Sequence, residues 1–98
     1  MGGYSMMSTE PINMSRVKKE DIDNEICRIG MIAELDAVSL YEQLAAMTEN
    51  KPIRKMLLDI AKEEKTHVGE FQALLLERDK EQERELEQGK KEVEEKTK

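Results

Sequence analysis

The stretch Thr48-Glu49-Asn50-Lys51-Pro52 divides the chain into two long helical patterns. Asn50 is a favoured N-cap residue. A proline is tolerated in the first turn of a helix, where its missing N–H would have no partner in any case. We therefore predict that one helix ends near residue 47 and that the next begins near residue 52. Because so short a connection makes long consecutive helices antiparallel neighbours, the sequence predicts a helical hairpin.

Each half of this hairpin carries an apolar stripe. Residues on one face of a helix recur at steps of three and four, and this pattern runs from about Asp21 to Met47. It resumes from about Pro52 to Glu77 or Arg78. We expect both stripes to form the core between helices. The first consists of Ile26, Gly30, Ala33, Ala37, Tyr41, Leu44 and Thr48, and the second of Met56, Leu57, Ile60, Glu64, His67, Phe71, Leu74 and Leu75.

The two ends of the chain differ from the hairpin in composition. Residues 1–18 show no periodicity and contain Pro11, so we predict a mobile N-terminal arm. Residues 79–98 hold only Leu86 and Val93 as strongly apolar residues among many charged ones. We predict a charged, solvated C-terminal helix or tail there, interrupted at Gly89. The expected domains are the arm (1–18), a hairpin (19–78) and a charged C-terminal segment (79–98).

Composition favours association with another copy and excludes several classes of partner. The chain has 98 residues, 39% of them charged and 3% aromatic, and a chain this short is marginally stable alone. Its net charge of −6, without clustered basic residues, argues against nucleic acid. Neither a membrane span nor a secretory signal is apparent, so we expect no membrane association and a cytoplasmic location. The single cysteine, Cys27, excludes an intrachain disulfide and is expected to be a packing residue.

Three polar residues fall inside the apolar stripes. Glu64 and His67 lie in the second stripe, and Glu34 lies in the first, between Gly30 and Val38. Carboxylates are rarely buried without a partner, and a multivalent cation is the most effective one. Glu64 and His67 form a Glu-x-x-His unit, which helix-bundle di-iron proteins combine with glutamates from facing helices. Carboxylate oxygens and imidazole nitrogen suit iron, so these three residues are predicted metal ligands.

The number of ligands predicts a shared site. A complete centre takes two single glutamates and two Glu-x-x-His units. This chain offers one of each, and His67 is its only histidine. A two-fold dimer of hairpins would supply every ligand, form a four-helix bundle and hold two iron ions near the symmetry axis.

Further residues are candidates for secondary roles. Tyr41, two turns after Glu34, is placed to hydrogen-bond a ligand, and Glu70 follows His67 by about one turn. Asp36, Glu42 and Glu63 lie off the stripes, so we expect them to be solvated. A role for Asp36 on the path by which cations reach the site stays open.

Two segments of the hairpin together resemble the encapsulated ferritin family. They are residues 32–43, Ile-Ala-Glu-Leu-Asp-Ala-Val-Ser-Leu-Tyr-Glu-Gln, and residues 63–71, Glu-Glu-Lys-Thr-His-Val-Gly-Glu-Phe. The likeness extends from about residue 22 to residue 76. It implies a two-helix ferritin relative that oxidises iron inside an encapsulin nanocompartment. The paired hairpins of that family form a ferroxidase centre, and the dimers assemble into a ring, typically a decamer.

The resemblance also assigns roles by position. It implies that each chain contributes Glu34, Glu64 and His67 as iron ligands, and that Ca²⁺, Mn²⁺ or Zn²⁺ can substitute for iron in crystals. Tyr41 matches a tyrosine near the centre, and Asp36 matches an acidic position associated with metal uptake. Some members carry a second glutamate where this chain has Ala33, so a secondary uptake site is expected to be arranged differently here.

The resemblance further implies an encapsulin shell protein as partner. Residues 90–98 lack an obvious apolar targeting peptide. We therefore expect either a domain of a longer fusion or a member with a different signal.

The sequence thus favours a ferroxidase that oxidises Fe(II) with dioxygen. Two alternatives stay open at this point. One is a non-catalytic helical hairpin that serves oligomerisation or metal binding. The other is a rubrerythrin-like peroxide reductase, which would need an external electron donor because a rubredoxin Cys-x-x-Cys pair is absent.

Overall fold

The computed structural model describes residues 13–98, which form three α-helices joined by short connections. They are α1 (Ile22–Met47), α2 (Lys51–Arg78) and α3 (Lys80–Thr97). Short 3₁₀ turns at Met14–Arg16 and Lys19–Asp21 precede α1. This part of the chain contains no strand. The predicted all-α class, a two-helix hairpin followed by a charged C-terminal helix, is confirmed.

The connection between α1 and α2 is capped from both sides. The Asn50 side chain accepts a hydrogen bond of 3.0 Å from the backbone N–H of Ile53, which satisfies one free donor at the start of α2. Arg54 donates to the carbonyl oxygens of Ala45, at 3.2 Å, and Thr48. These are acceptors at the end of α1 that no helical N–H reaches. The break and its Asn50 cap are as predicted, with α2 beginning at Lys51.

The buried face of α1 is rotated by about one position from the predicted stripe. The predicted stripe residues Ile26 and Leu44 are 50% and 37% exposed, whereas the next residues, Cys27 and Ala45, are buried. One position is about 100° around a helix, so the face of α1 against α2 lies to one side of the stripe. Part of the predicted stripe of α1 is therefore left uncovered in the single chain. The buried apolar residues are Cys27, Val38, Ala45, Ala61 and Leu75.

Helices α1 and α2 come close together where Gly30 meets Phe71. A Cβ atom on Gly30 would lie 2.8 Å from three atoms of the Phe71 ring. Any larger residue would displace the ring or the helix. Glycine at position 30 is explained by this approach.

Asp79 sets the start of α3. Its Oδ1 accepts a hydrogen bond of 2.9 Å from the N–H of Gln82, which caps α3. Its Oδ2 lies 2.5 Å from Nη2 of Arg28, which also bonds Glu25. Arg28 therefore ties α1 to the first turn of α3. The described chain extends over 45 × 43 × 23 Å.

Two further expectations concern the ends of the chain. The predicted interruption at Gly89 is wrong, because α3 continues from Lys80 to Thr97. A helical glycine costs only about 1 kcal/mol relative to alanine, which a capped helix of this length tolerates. Residues 1–12 of the predicted arm lie outside the described residues, and Asn13 caps the 3₁₀ turn that follows. Between residues 13 and 98, no helix has both the length and the hydropathy needed to cross a membrane.

Candidate metal centre

The three predicted ligands meet between α1 and α2. Glu34 projects from α1, and Glu64 and His67 project from α2. One carboxylate oxygen of each glutamate and one ring nitrogen of His67 all lie within 4.8 Å of one another. His67 Nδ1 is 3.3 Å from Glu34 Oε2 and 3.4 Å from Glu64 Oε2. Within residues 13–98, no other group of His, Cys, Asp and Glu side chains converges in this way.

The distances and donor types fit a transition-metal ion. Carboxylate oxygen and imidazole nitrogen bind such an ion at about 2.0–2.2 Å, so two of its ligands lie about 3–4 Å apart. Two carboxylates beside one imidazole carry excess negative charge, which a divalent cation would offset. The set suits iron, manganese and zinc. It also leaves room for further ligands, because three donors do not complete a coordination shell.

Helix geometry explains why these side chains meet. Glu64 and His67 are three residues apart and therefore share one face of α2. Glu34 faces them because α1 and α2 are antiparallel. Val38, one turn after Glu34, is buried, and so is Ala61, one turn before Glu64. On the other side of the ligands lies the Gly30–Phe71 contact. The ligands thus occupy one polar layer between two apolar ones.

The ligands are only partly covered by their own chain. The side chains of Glu34 and Glu64 are 21% and 19% exposed, and that of His67 is 43% exposed. Polar groups in this position keep some hydration in the single chain. A second surface placed on them would remove it.

Exposed apolar residues flank the ligands on the same face of the hairpin. Leu74 and Met56 are seven residues after and eleven before His67, within about 20° of it around α2. Ile26 and Leu44 lie within about 80° of Glu34, both on the side away from Cys27. We call this surface the ligand face. Its exposed apolar residues are Ile26 (50%), Leu44 (37%), Met56 (58%) and Leu74 (53%).

The acidic candidates for secondary roles, Asp36 and Glu70, do not join this group. Tyr41 is half-buried and makes no hydrogen bond with the described residues, and Glu70 is exposed. Asp36 is only 3% exposed, so the expectation that it is solvated was wrong. Its place on α1, off the predicted stripe, does not show whether other parts of the protein cover that side of the helix. Glu42 and Glu63 are exposed as expected, and Glu42 pairs with Lys65 at 3.0 Å.

The contacts that position these elements were not evident from the sequence. The link from Arg28 to Asp79 joins residues 51 positions apart, and the Gly30–Phe71 contact joins residues on different helices. One local signal was available. Asp79 followed three residues later by Gln82 is the pattern of a capping box, which marks the start of a helix.

Comparison with known proteins identifies the family. The sequence pattern of the rubrerythrin family matches residues 25–98. The crystal structure of the encapsulated ferritin domain from Pyrococcus furiosus superimposes with a TM-score of 0.79 and 50% identity, covering 93% of this chain and 95% of that one. The chain belongs to the encapsulated ferritin family. The resemblance noted in residues 22–76 therefore reflects membership, and the helical architecture is that of the family.

A longer encapsulated ferritin relative is also similar. The ferritin-like–encapsulin shell fusion protein of Pyrococcus furiosus is 53% identical over 95 residues, which are 94% of this chain. The chain spans only 27% of that protein's length.

Proposed function

We propose that this chain is half of a ferroxidase, which oxidises Fe(II) with dioxygen at a di-iron centre shared by two copies. The observation that carries the proposal is the convergence of Glu34, Glu64 and His67 within 4.8 Å on the open ligand face. Their family context is that of ferritin-like proteins. Fe(II) is here the substrate, and the chain supplies the ligands that gather and orient it.

The shortage of ligands in one chain supports a shared centre. Ferritin-like di-iron centres use two single glutamates and two Glu-x-x-His units. One chain has half of these. A two-fold axis through the ligand face would bring in Glu34, Glu64 and His67 of a second copy and close a four-helix bundle.

The exposed apolar residues support the same axis. Ile26, Leu44, Met56 and Leu74 surround the ligands and are all more than one third exposed. Removal of apolar surface from water stabilises an assembly by about 25 cal/mol per Å². Pairing of two ligand faces would bury these residues and the metal ligands together, so that assembly and site formation become one event.

Each of the three residues has a role in this proposal. In line with the family resemblance, Glu64 would bridge two iron ions together with the second copy's equivalent residue. Glu34 and His67 Nδ1, whose ligand atoms are 3.3 Å apart, would serve as terminal ligands of one ion. Two Fe(II) ions would each give one electron to dioxygen, which takes up two protons and leaves as hydrogen peroxide, so that two Fe(III) ions are the iron product. Pairing of the two ligand faces would cover the partly exposed ligands and so exclude competing water.

We also propose that the partner beyond the second copy is an encapsulin shell. This rests on the fusion protein and the encapsulated ferritin domain to which the chain is similar. The dimers would then assemble into a ring, typically a decamer, inside a nanocompartment in the cytoplasm. The shell would store the ferric product.

An anaerobic Fe(II) titration followed by admission of air tests the ferroxidase activity. We expect saturation at about one Fe(II) per chain and a rapid rise of ferric absorbance. His67→Ala should oxidise iron no faster than buffer. Failure of the wild type to bind iron stoichiometrically would leave a structural hairpin, in which His67 only bridges two carboxylates by hydrogen bonds.

The rubrerythrin-family match favours one second candidate, a peroxide reductase. Such an enzyme would use the same ligands with hydrogen peroxide as oxidant. Mixing the Fe(II)-loaded protein with peroxide or with dioxygen separates the two. Much faster oxidation by peroxide would support the reductase.

A further inference from the structure

Gly30 and Phe71 form the layer next to the metal ligands. Gly30 lies one turn before Glu34 on α1, and Phe71 lies one turn after His67 on α2. Phe71 is the only phenylalanine in the chain. Its ring lies against the Gly30 backbone so closely that an added Cβ would be 2.8 Å from three ring atoms. The two helices therefore approach each other here through one ring and no opposing side chain.

Such an approach limits how far apart α1 and α2 can be at the ligand layer. Ordinary Cβ contacts lie at 3.4–4 Å, so a methyl group on Gly30 would require the ring or the helix to move by at least about 0.6 Å. The ligands lie on the same two helices, and their donor atoms are only 3.3 and 3.4 Å apart. Metal–ligand distances vary by only about 0.2 Å, so a shift of this size would disturb them.

We propose that Gly30 and Phe71 are positioning residues for the metal centre. The thickness of the Phe71 ring against the bare Gly30 backbone sets the separation of α1 and α2, and hence the reach of Glu34 to Glu64 and His67. Neither residue contacts the metal. This positioning role rests on the proposed function, because it requires that the three ligands bind a metal ion.

Substitution of Gly30 by alanine, with Co(II) as the probe, tests this role in the full chain. Co(II) reports both its affinity and, through its visible absorption, its coordination geometry. We expect Gly30→Ala to weaken Co(II) binding about tenfold, the effect typical of residues that orient metal ligands. The spectrum should change as well.

Gly69→Ala is the matched control. Gly69 is also helical, lies two residues after His67 and has nothing within 4 Å of an added Cβ. It therefore receives the same gain in helix propensity without the steric conflict. Co(II) affinity and spectrum should equal those of the wild type. If Gly30→Ala also behaves like the wild type, the positioning role is overturned.

A compensating substitution separates positioning from general damage to the fold. In Gly30→Ala/Phe71→Leu, the smaller side chain makes room for the added methyl group, and Co(II) affinity should return to within about threefold of the wild type. If Gly30→Ala alone does not fold by circular dichroism, Phe71→Leu is compared with the double variant. Tighter Co(II) binding by the double variant supports positioning, and equal binding overturns it. A wild type that does not bind Co(II) overturns the proposed function itself.

Discussion

The ligand face of the hairpin and the surface of α3 are both open in the single chain, yet they differ in what surrounds their charges. On the ligand face, Glu34, Glu64 and His67 lie among exposed apolar side chains. On α3, most residues are charged, and only Leu86 and Val93 are strongly apolar. Both surfaces are exposed to water, but the charged side chains have apolar neighbours on the ligand face and charged neighbours on α3.

This difference shows which charges need a partner. A charge on α3 keeps its water and contributes little either way. A carboxylate on the ligand face would lose its water once another surface covers the apolar residues around it, and the loss costs several kcal/mol unless a cation or donor replaces the water. The composition around a charge is therefore more informative about a metal site than its exposure.

The largest expected effect comes from placing one new charge on each surface. Leu74 and Val93 are 53% and 60% exposed, so either aspartate is tolerated in the single chain. Leu74→Asp should prevent pairing of the ligand faces and reduce iron oxidation to the rate in buffer, because an unpaired charge in an interface costs several kcal/mol. Val93→Asp should leave the oxidation rate unchanged.

Light scattering and ferric absorbance measure these outcomes together. A Leu74→Asp variant that keeps both the mass and the rate of the wild type would show that the ligand face is not the interface.

A smaller effect is expected from metal-linked stability. Zn(II) at a hundred times its dissociation constant should stabilise the wild type by about 2.7 kcal/mol. Glu34→Gln should lose most of this gain, because it removes a charged ligand. Glu87→Gln makes the same change on α3 and should retain the gain. Urea unfolding with and without Zn(II) measures the difference, and equal gains in both variants would contradict the assignment of Glu34.

The smallest effect is expected where α3 joins the hairpin. Asp79→Ala removes the cap of α3 and the ion pair with Arg28, and should lower the free energy of unfolding by about 1–2 kcal/mol. Asp79→Asn keeps a capping side chain, so it should lose no more than about 1 kcal/mol. Iron per chain should be unchanged in both variants. A loss of metal binding in Asp79→Ala would mean that α3 is coupled to the ligand face.

Local features of the fold could be read from the sequence because their causes lie within a few residues. Asn50 caps α2 through the N–H three residues later, and Glu64 and His67 share a face because they are one turn apart. The prediction at Gly89 was wrong because the free-energy cost of one glycine is small compared with the stability of the rest of α3. The prediction at Asp36 was wrong too, since burial depends on what packs against a residue from elsewhere.

The sequence predicted which three side chains converge, but it did not predict which residues surround them. Glu34 could be paired with Glu64 and His67 because each falls within an apolar stripe, where a charge is anomalous. Glu70 shares that neighbourhood in sequence but is not in the group of converging atoms. Whether a side chain reaches a shared point depends on helix rotation, and a stripe several residues wide does not fix it.

What the sequence by itself determined was two antiparallel helices with wide apolar stripes and polar residues set inside them. Periodicity and capping are local, and they need no partner to act. Only the tertiary structure decided how each stripe is divided. Cys27, Val38 and Ala45, beside the predicted stripe, are buried, while Ile26 and Leu44 of the stripe itself remain exposed next to the ligands. One neighbouring helix covers only part of so wide an apolar surface. Which residues are buried therefore depends on how the two helices are rotated against each other.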